Sequence, residues 1–198
     1  MSDLLIPLVT FALVATCSPG GATTLATASV AQFGYVRSLP LMAGIAVGLG
    51  VLVGSVAGGL ATVIQSLPQL QFWLRLAGSA YLLWLAWMIG RQGAPGSKIG
   101  APAIPIGFIA GLLMLWTNPK GWTMAAAAAA AYGGLSSSPI GLGLIVCAAF
   151  VSAAAVSLSL WCLGGQWLAR LLTTDTKWRA ANICLGLLLA GSIIPMWR

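Results

Sequence analysis

Two tetrapeptides one hundred positions apart, Ser18-Pro19-Gly20-Gly21 and Asn118-Pro119-Lys120-Gly121, interrupt long apolar stretches and gather the side chains best suited to chemistry. Proline removes a backbone donor and clashes with the preceding turn, so each stretch is predicted to be two half-helices meeting at a break. At such a break the second half-helix opens with free N–H groups and partial positive charge, while the first ends in free carbonyls. Together these ends suit a zwitterion, with its carboxylate at the half-helix starts after Pro19 and Pro119 and its ammonium facing the carbonyls near Cys17 and Thr117. In lipid a break is tolerated only where protein or water satisfies the backbone, and two breaks at matching positions of two halves point to the substrate site of a repeat-built transporter. The substrate-binding residues expected on this reading are Ser18, Pro19, Gly20, Gly21, Thr23, Thr117, Asn118, Pro119, Lys120 and Trp122.

Lys120 is the one charged residue far from both ends of an apolar span. Placing a lysine at the bilayer centre costs about 2.5 to 3.5 kcal/mol on insertion scales and more in simulations, so it needs a reason. Two are open: a counter-charge for a substrate carboxylate, or an ammonium that snorkels to the interface or bonds to carbonyls of the break. Trp116 and Trp122 flank the second break and either line a pocket or belong to an interface belt, as Trp73, Trp167, Trp178 and Trp197 are expected to do.

The elements that must position these groups follow from composition. Hydrophobic residues make up 60% of the 198-residue chain and charged residues 6%, against about 25% charged in soluble domains, so an all-α integral membrane protein is expected. No cleavable leader is expected. The net charge of +7 arises from nine Lys and Arg against Asp3 and Asp175. These basic residues are scattered between apolar runs rather than clustered with aromatics, which reads as membrane topology and not as a nucleic-acid surface. Cys17, Cys147, Cys162 and Cys184 all fall within predicted spans, and the last three read as small packing residues rather than a disulfide framework.

Six spans are expected: Leu4 to Val30, Leu39 to Ile64, Phe72 to Ile89, Ile104 to Tyr132, Ile140 to Leu168 and the short Ala180 to Pro195. The first and fourth exceed the roughly 20 residues needed to cross, as broken or tilted helices should. A hydrophilic stretch from Arg91 to Pro105 gives a linker, 91–103, dividing a single transmembrane domain into repeat one, 1–90, and repeat two, 104–198. Pro19 pairs with Pro119, Pro40 with Pro139 and Arg75 with Arg179. With three spans in each half, the second repeat enters from the opposite side, giving two inverted three-helix repeats with helices 1 and 4 broken at Pro19 and Pro119. Arg37, Arg91, Lys98, Arg170, Lys177 and Arg179 fall on one side and Arg75 and Arg198 on the other, which puts both termini outside the cytoplasm. In the second span Gly44, Gly48, Gly50, Gly54 and Gly58 are expected to form a close-packing face, and the seven alanines from Ala125 to Ala131 to pack likewise.

Ser18-Pro19-Gly20, the Arg37-Ser38-Leu39-Pro40 entry to a Gly-rich span, the segment Leu76-Ala77-Gly78-Ser79-Ala80-Tyr81-Leu82 and Asn118-Pro119-Lys120-Gly121-Trp122 together resemble the lysine-exporter (LysE/RhtB) superfamily of amino-acid exporters. The resemblance covers most of the chain. It implies a six-span multi-pass exporter of amino acids or their derivatives in the cytoplasmic (inner) membrane, with Ser18, Pro19, Gly20, Asn118, Pro119 and Lys120 at its breaks. Where that family follows Gly with Pro and then Asn or Asp, this chain reads Gly20-Gly21-Ala22, with Thr23 and Thr24 supplying polarity.

The function expected is amino-acid export by alternating access, the substrate rocking between two faces with one repeat moving against the other. With no acid inside a span, the expected substrate is neutral or zwitterionic. No catalytic residue, cofactor or metal site is expected; His and Glu are absent and metal export lacks ligands. The expected partners are an amino acid and the bilayer, with no nucleic acid, and a homo-oligomer is compatible. The rivals are a membrane thiol-disulfide electron carrier, for which Cys17 lacks a partner because the matching position is Thr117, and a non-transporting membrane scaffold.

Overall fold

The computed structural model describes residues 2–60, 68–94, 105–194 and 197, and every regular element among them is helical. Eight α-helices follow in order: α1 Ser2–Cys17, α2 Gly21–Phe33, α3 Tyr35–Ser55, α4 Pro68–Gly90, α5 Phe108–Trp116, α6 Pro119–Tyr132, α7 Pro139–Leu171 and α8 Asp175–Gly191. A π-helical turn, Val56–Leu60, prolongs α3, and a 3₁₀ turn, Gly133–Leu135, follows α6. Positions 95–103 of the linker, Lys98, Ile64, Ile104, Pro195 and Arg198 lie outside the described residues.

Both expected breaks are present. The first apolar stretch divides at Ser18–Gly20 into α1 and α2, which meet at a 60° bend. Pro19 has no N–H to give the Ala15 carbonyl one turn earlier, and the Ser18 hydroxyl supplies that bond instead, at 2.8 Å. The second stretch divides at Thr117 and Asn118 into α5 and α6. Pro119 sits at the first position of α6, where its missing donor costs nothing, and the Asn118 carboxamide caps the helix by accepting from the Lys120 amide at 3.0 Å.

Among the described residues two helices, α3 with its π-helical continuation and α7, are long and apolar enough to cross a membrane, and the bent α1–α2 pair makes a third if it is one span. At 33 residues α7 extends about 50 Å, beyond both ends of the expected fifth span. With 17 residues α8 reaches about 25 Å, short of a 30 Å hydrocarbon core.

At the centre of the bundle, α3 packs against both α7 and the α5–α6 pair. In turn α7 backs the α1–α2 pair, and α4 lies against α8. The core runs through this centre, with Phe150 of α7 fully buried beside Phe11 of α1, their rings edge to face at 6.1 Å. Outward, Ile6, Val36, Leu144 and Leu187 are exposed, as side chains facing lipid should be.

The glycines of α3 serve two faces rather than the single one expected. A Cβ on Gly44 would collide with the Phe108 backbone, and one on Gly48 would lie 3.0 Å from Leu112 Cα, both on α5. A Cβ on Gly54 would lie 2.7 Å from the Gly143 carbonyl of α7, and Gly50 abuts Cys147 of the same helix. Six residues of helix turn Gly50 about 120° away from Gly44, so a spacing of four within each set hides two crossings back to back. The alanine run also departs from expectation. Ala125 and Ala128 are buried, whereas Ala126, Ala127, Ala130 and Ala131 are exposed. Among the tryptophans expected at interfaces, Trp73 and Trp167 are exposed, but Trp178 is buried at the start of α8. Cys184 is exposed, not packed, whereas Cys162 is buried against the Met42 sulfur.

Candidate functional site

The two breaks face each other across a cleft with about 400 Å³ of empty space, its open mouth included. Of the residues expected to bind substrate, Gly20, Thr23, Asn118 and Lys120 line it. Asn118 and Thr23 are buried, with relative exposures of 2% and 5%, while Lys120 is half-buried. The expected residues Ser18, Pro19, Gly21, Thr117, Pro119 and Trp122 lie around the cleft rather than in its lining.

Each of these outer residues has a local reason for its place. Gly21 is buried where a Cβ would press to 3.0 Å on Leu189, Met114 and Ser192. The Thr117 hydroxyl turns back onto the carbonyls of Leu113 and Met114, both at 3.1 Å. Trp122 donates its indole N–H to the Trp116 carbonyl at 2.8 Å, and the two rings stack edge to face. The tryptophan pair therefore staples the second break shut from outside, filling the carbonyl that the turn leaves bare.

The carbonyl end of α1 is arranged differently from expectation. Three successive carbonyls there each hold a side-chain donor. Ser157 of α7 donates to the Thr16 carbonyl at 2.8 Å, Trp161 of α7 donates to the Cys17 carbonyl at 3.1 Å, and the Lys120 ammonium donates to the Ser18 carbonyl at 2.5 Å. The freed carbonyls near Cys17, expected beside a substrate ammonium, thus each hold a donor from the protein itself. Ser157 and Trp161 stand one helical turn apart, so a single face of α7 serves two of them. Gly20 leaves the path of the lysine clear: a Cβ there would stand 3.1 Å from Lys120 Cδ.

The amide ends of the two second half-helices are unequal. In α6, Pro119 has no N–H, the Lys120 amide goes to the Asn118 carboxamide and the Gly121 amide to the Asn118 carbonyl. In α2 the cap is Gly20, which has no side chain; its own amide goes to Thr23 Oγ1 at 2.9 Å. The amides of Gly21, Ala22 and Thr23 form no hydrogen bond among the described residues. The only formal charge among the described residues of the lining is Lys120, beside the positive end of α2.

Thr16, Ser157 and the apolar Ile45, Leu49 and Met124 complete much of the lining and were not anticipated. Ser157 had a signal in the sequence, a hydroxyl in an otherwise apolar helix, but Ser152 and Ser159 share it, and both bond only within their own helix turn or to Tyr35. Among the described residues no group of three or more metal-ligating side chains occurs.

A family model described as LysE type translocator matches residues 13–192. The chain is 32% identical over 118 residues to the cysteine/O-acetylserine efflux protein of Klebsiella pneumoniae subsp. pneumoniae, covering 59% of each chain. It is 32% identical over 114 residues to the protein of the same name from Escherichia coli K12 and 30% identical over 114 residues to that from Salmonella paratyphi A, covering 56% of each chain in both cases. The match thus spans less than two thirds of the length of these curated relatives. No solved structure matches. A family match that takes in both breaks, the cleft between them, the end of α1 and the seven helices that follow places the chain in the LysE family of translocators.

Proposed function

We propose that the protein is a secondary transporter of the cytoplasmic membrane that exports amino acids or their derivatives, neutral or zwitterionic, by alternating access. The observation that carries this reading is the cleft itself: a mainly apolar pocket between two helix breaks, whose described lining holds a few polar groups with one cation and no acid, in a chain of a translocator family. The relatives named for cysteine and O-acetylserine efflux support small, uncharged side chains.

In the mechanism proposed, the substrate carboxylate lies between the Lys120 ammonium and the first-turn amides of α2, with Asn118, Thr23 and Ser157 around it. The six-span architecture, two inverted three-helix repeats joined by the 91–103 linker, belongs to the same proposal. Its support is the packing pattern: exchanging α1–α2 for α5–α6, α3 for α7 and α4 for α8 carries the principal helix contacts onto one another. Both termini then lie outside the cytoplasm, as the loop charges favour. Rocking one repeat against the other about the α3–α7 contact would open the cleft to alternate faces.

The test is counterflow in proteoliposomes with a panel of neutral amino acids. Accumulation of at least one of them, lost in Lys120→Ala while the variant still inserts, is the expected result. Absence of counterflow across the panel would leave the scaffold reading in its place.

A further inference from the structure

We infer that the cleft selects its substrate by the carboxylate and leaves the α-amine unread; the inference rests on the transport reading, since it names the part of the amino acid that the site recognises. An ammonium taken out of water needs acceptors, preferably charged ones. The chain holds two acids, Asp3 and Asp175, with no Glu and no His, and the described lining of the cleft contains no acid. Backbone carbonyls are the alternative, and those of the last turns before the breaks each already hold a donor. Those of Thr16, Cys17 and Ser18 hold Ser157, Trp161 and Lys120. Those of Leu113 to Trp116 hold the Thr117 hydroxyl, the Asn118 amide and the Trp122 indole. In the lining, Thr23 Oγ1 already accepts from the Gly20 amide.

For a carboxylate the balance is the reverse. An ammonium carries three N–H donors, and Lys120 gives one to the Ser18 carbonyl. It can therefore take a carboxylate without orphaning any group of the break. Binding an ammonium in the same place would add a second donor to carbonyls that already hold one and would set two cations side by side, with no acid in the described lining to offset them. The amine of an amino acid is thus left at the open mouth, in water, and a carboxylic acid of the same shape without the amine should bind as well.

The experiment uses proteoliposomes of the full chain, with labelled O-acetyl-L-serine as tracer and two analogues as competitors. One is 3-acetoxypropionate, which keeps the carboxylate and lacks the amine; the other is O-acetyl-L-serinamide, which keeps the amine and has no carboxylate. The melting temperature of the detergent-solubilised protein with each compound is read in parallel. The acid should inhibit within roughly threefold of unlabelled O-acetylserine, and the amide should be roughly tenfold weaker or worse, as for loss of a hydrogen bond to a charged group. Lys120→Met should erase that ranking. An amide that competes as well as the parent, or an acid that fails in both readouts, overturns the inference. If the tracer shows no counterflow, the transport reading fails separately: stabilisation by the acid and not the amide still upholds carboxylate selection, and stabilisation by neither, or by the amide, overturns it.

Discussion

The Lys120 ammonium is hydrogen-bonded to the Ser18 carbonyl, so the one charge inside an apolar span joins two broken helices whose contact residues are 102 positions apart in the chain. The two roles left open for this lysine in the sequence, substrate counter-charge and donor to the break, are compatible in one geometry, because an ammonium has donors to spare. Replacing Lys120 by Arg keeps the charge but not the point geometry, and replacing it by Met removes both. Counterflow should fall by roughly tenfold or more in Lys120→Met and less in Lys120→Arg. Equal activity of the two variants would remove charge from the argument.

Asn118 offers a different handle on the same site. Its carboxamide oxygen caps α6 from a buried position that also lines the cleft. Asn118→Asp preserves an acceptor for the Lys120 amide and places a negative charge beside the ammonium. Folding should survive, while transport of carboxylate substrates should collapse as the new acid competes for Lys120. Asn118→Ala should cost about 1 kcal/mol in helix capping. Melting temperature and counterflow on the two variants separate cap from site.

Ser157 and Ser152 are both hydroxyls on α7, yet only Ser157 bonds outside its own helix. Ser157→Ala leaves the buried Thr16 carbonyl without its donor and should destabilise by about 1 to 3 kcal/mol. Ser152→Ala loses an exposed bond within its own helix and should change stability by less than about 0.5 kcal/mol. Chemical or thermal denaturation in one detergent suffices to compare them.

Gly44 and Gly111 meet backbone on the partner helix, so a methyl at either forces α3 and α5 apart. Gly44→Ala or Gly111→Ala should each cost about 1 to 3 kcal/mol through overpacking. Gly164 on α7 faces open space, and Gly164→Ala should be neutral or slightly stabilising, since alanine is the better helix former by about 1 kcal/mol. If the first two variants melt with wild type, the α3–α5 contact is looser than its geometry.

Pro19 and Pro119 made the breaks legible, because a missing N–H acts within one helical turn and needs no knowledge of neighbours. The caps also rest on local chemistry, Ser138 and Thr174 opening α7 and α8, but the expected sixth span began at Ala180, five residues inside α8. What the sequence does not display is who satisfies a break once it exists. Ser157 and Trp161 are 141 and 144 residues from the carbonyls they serve, and nothing in the first helix announces them. The same blindness affected the glycine ladder: spacing reports that two backbones come close, but the direction of each glycine depends on which helix lies opposite. Nor does spacing show that the two half-helix starts expected to hold a carboxylate are unequal, Asn118 taking the amides of Lys120 and Gly121 in α6 while the first amides of α2 form no hydrogen bond among the described residues.

The two glycine crossings on α3 carry a consequence for how damage to this protein is distributed. Because backbone meets backbone there, no side chain can adjust its rotamer to absorb an added methyl, whereas the apolar wall of the cleft, Ile45, Leu49 and Met124, is built of side chains that can. Mutational sensitivity should therefore peak away from the substrate. A survey of export-defective variants will find α3 glycines over-represented, and those variants will be identified by loss of protein from the membrane, not by altered substrate preference.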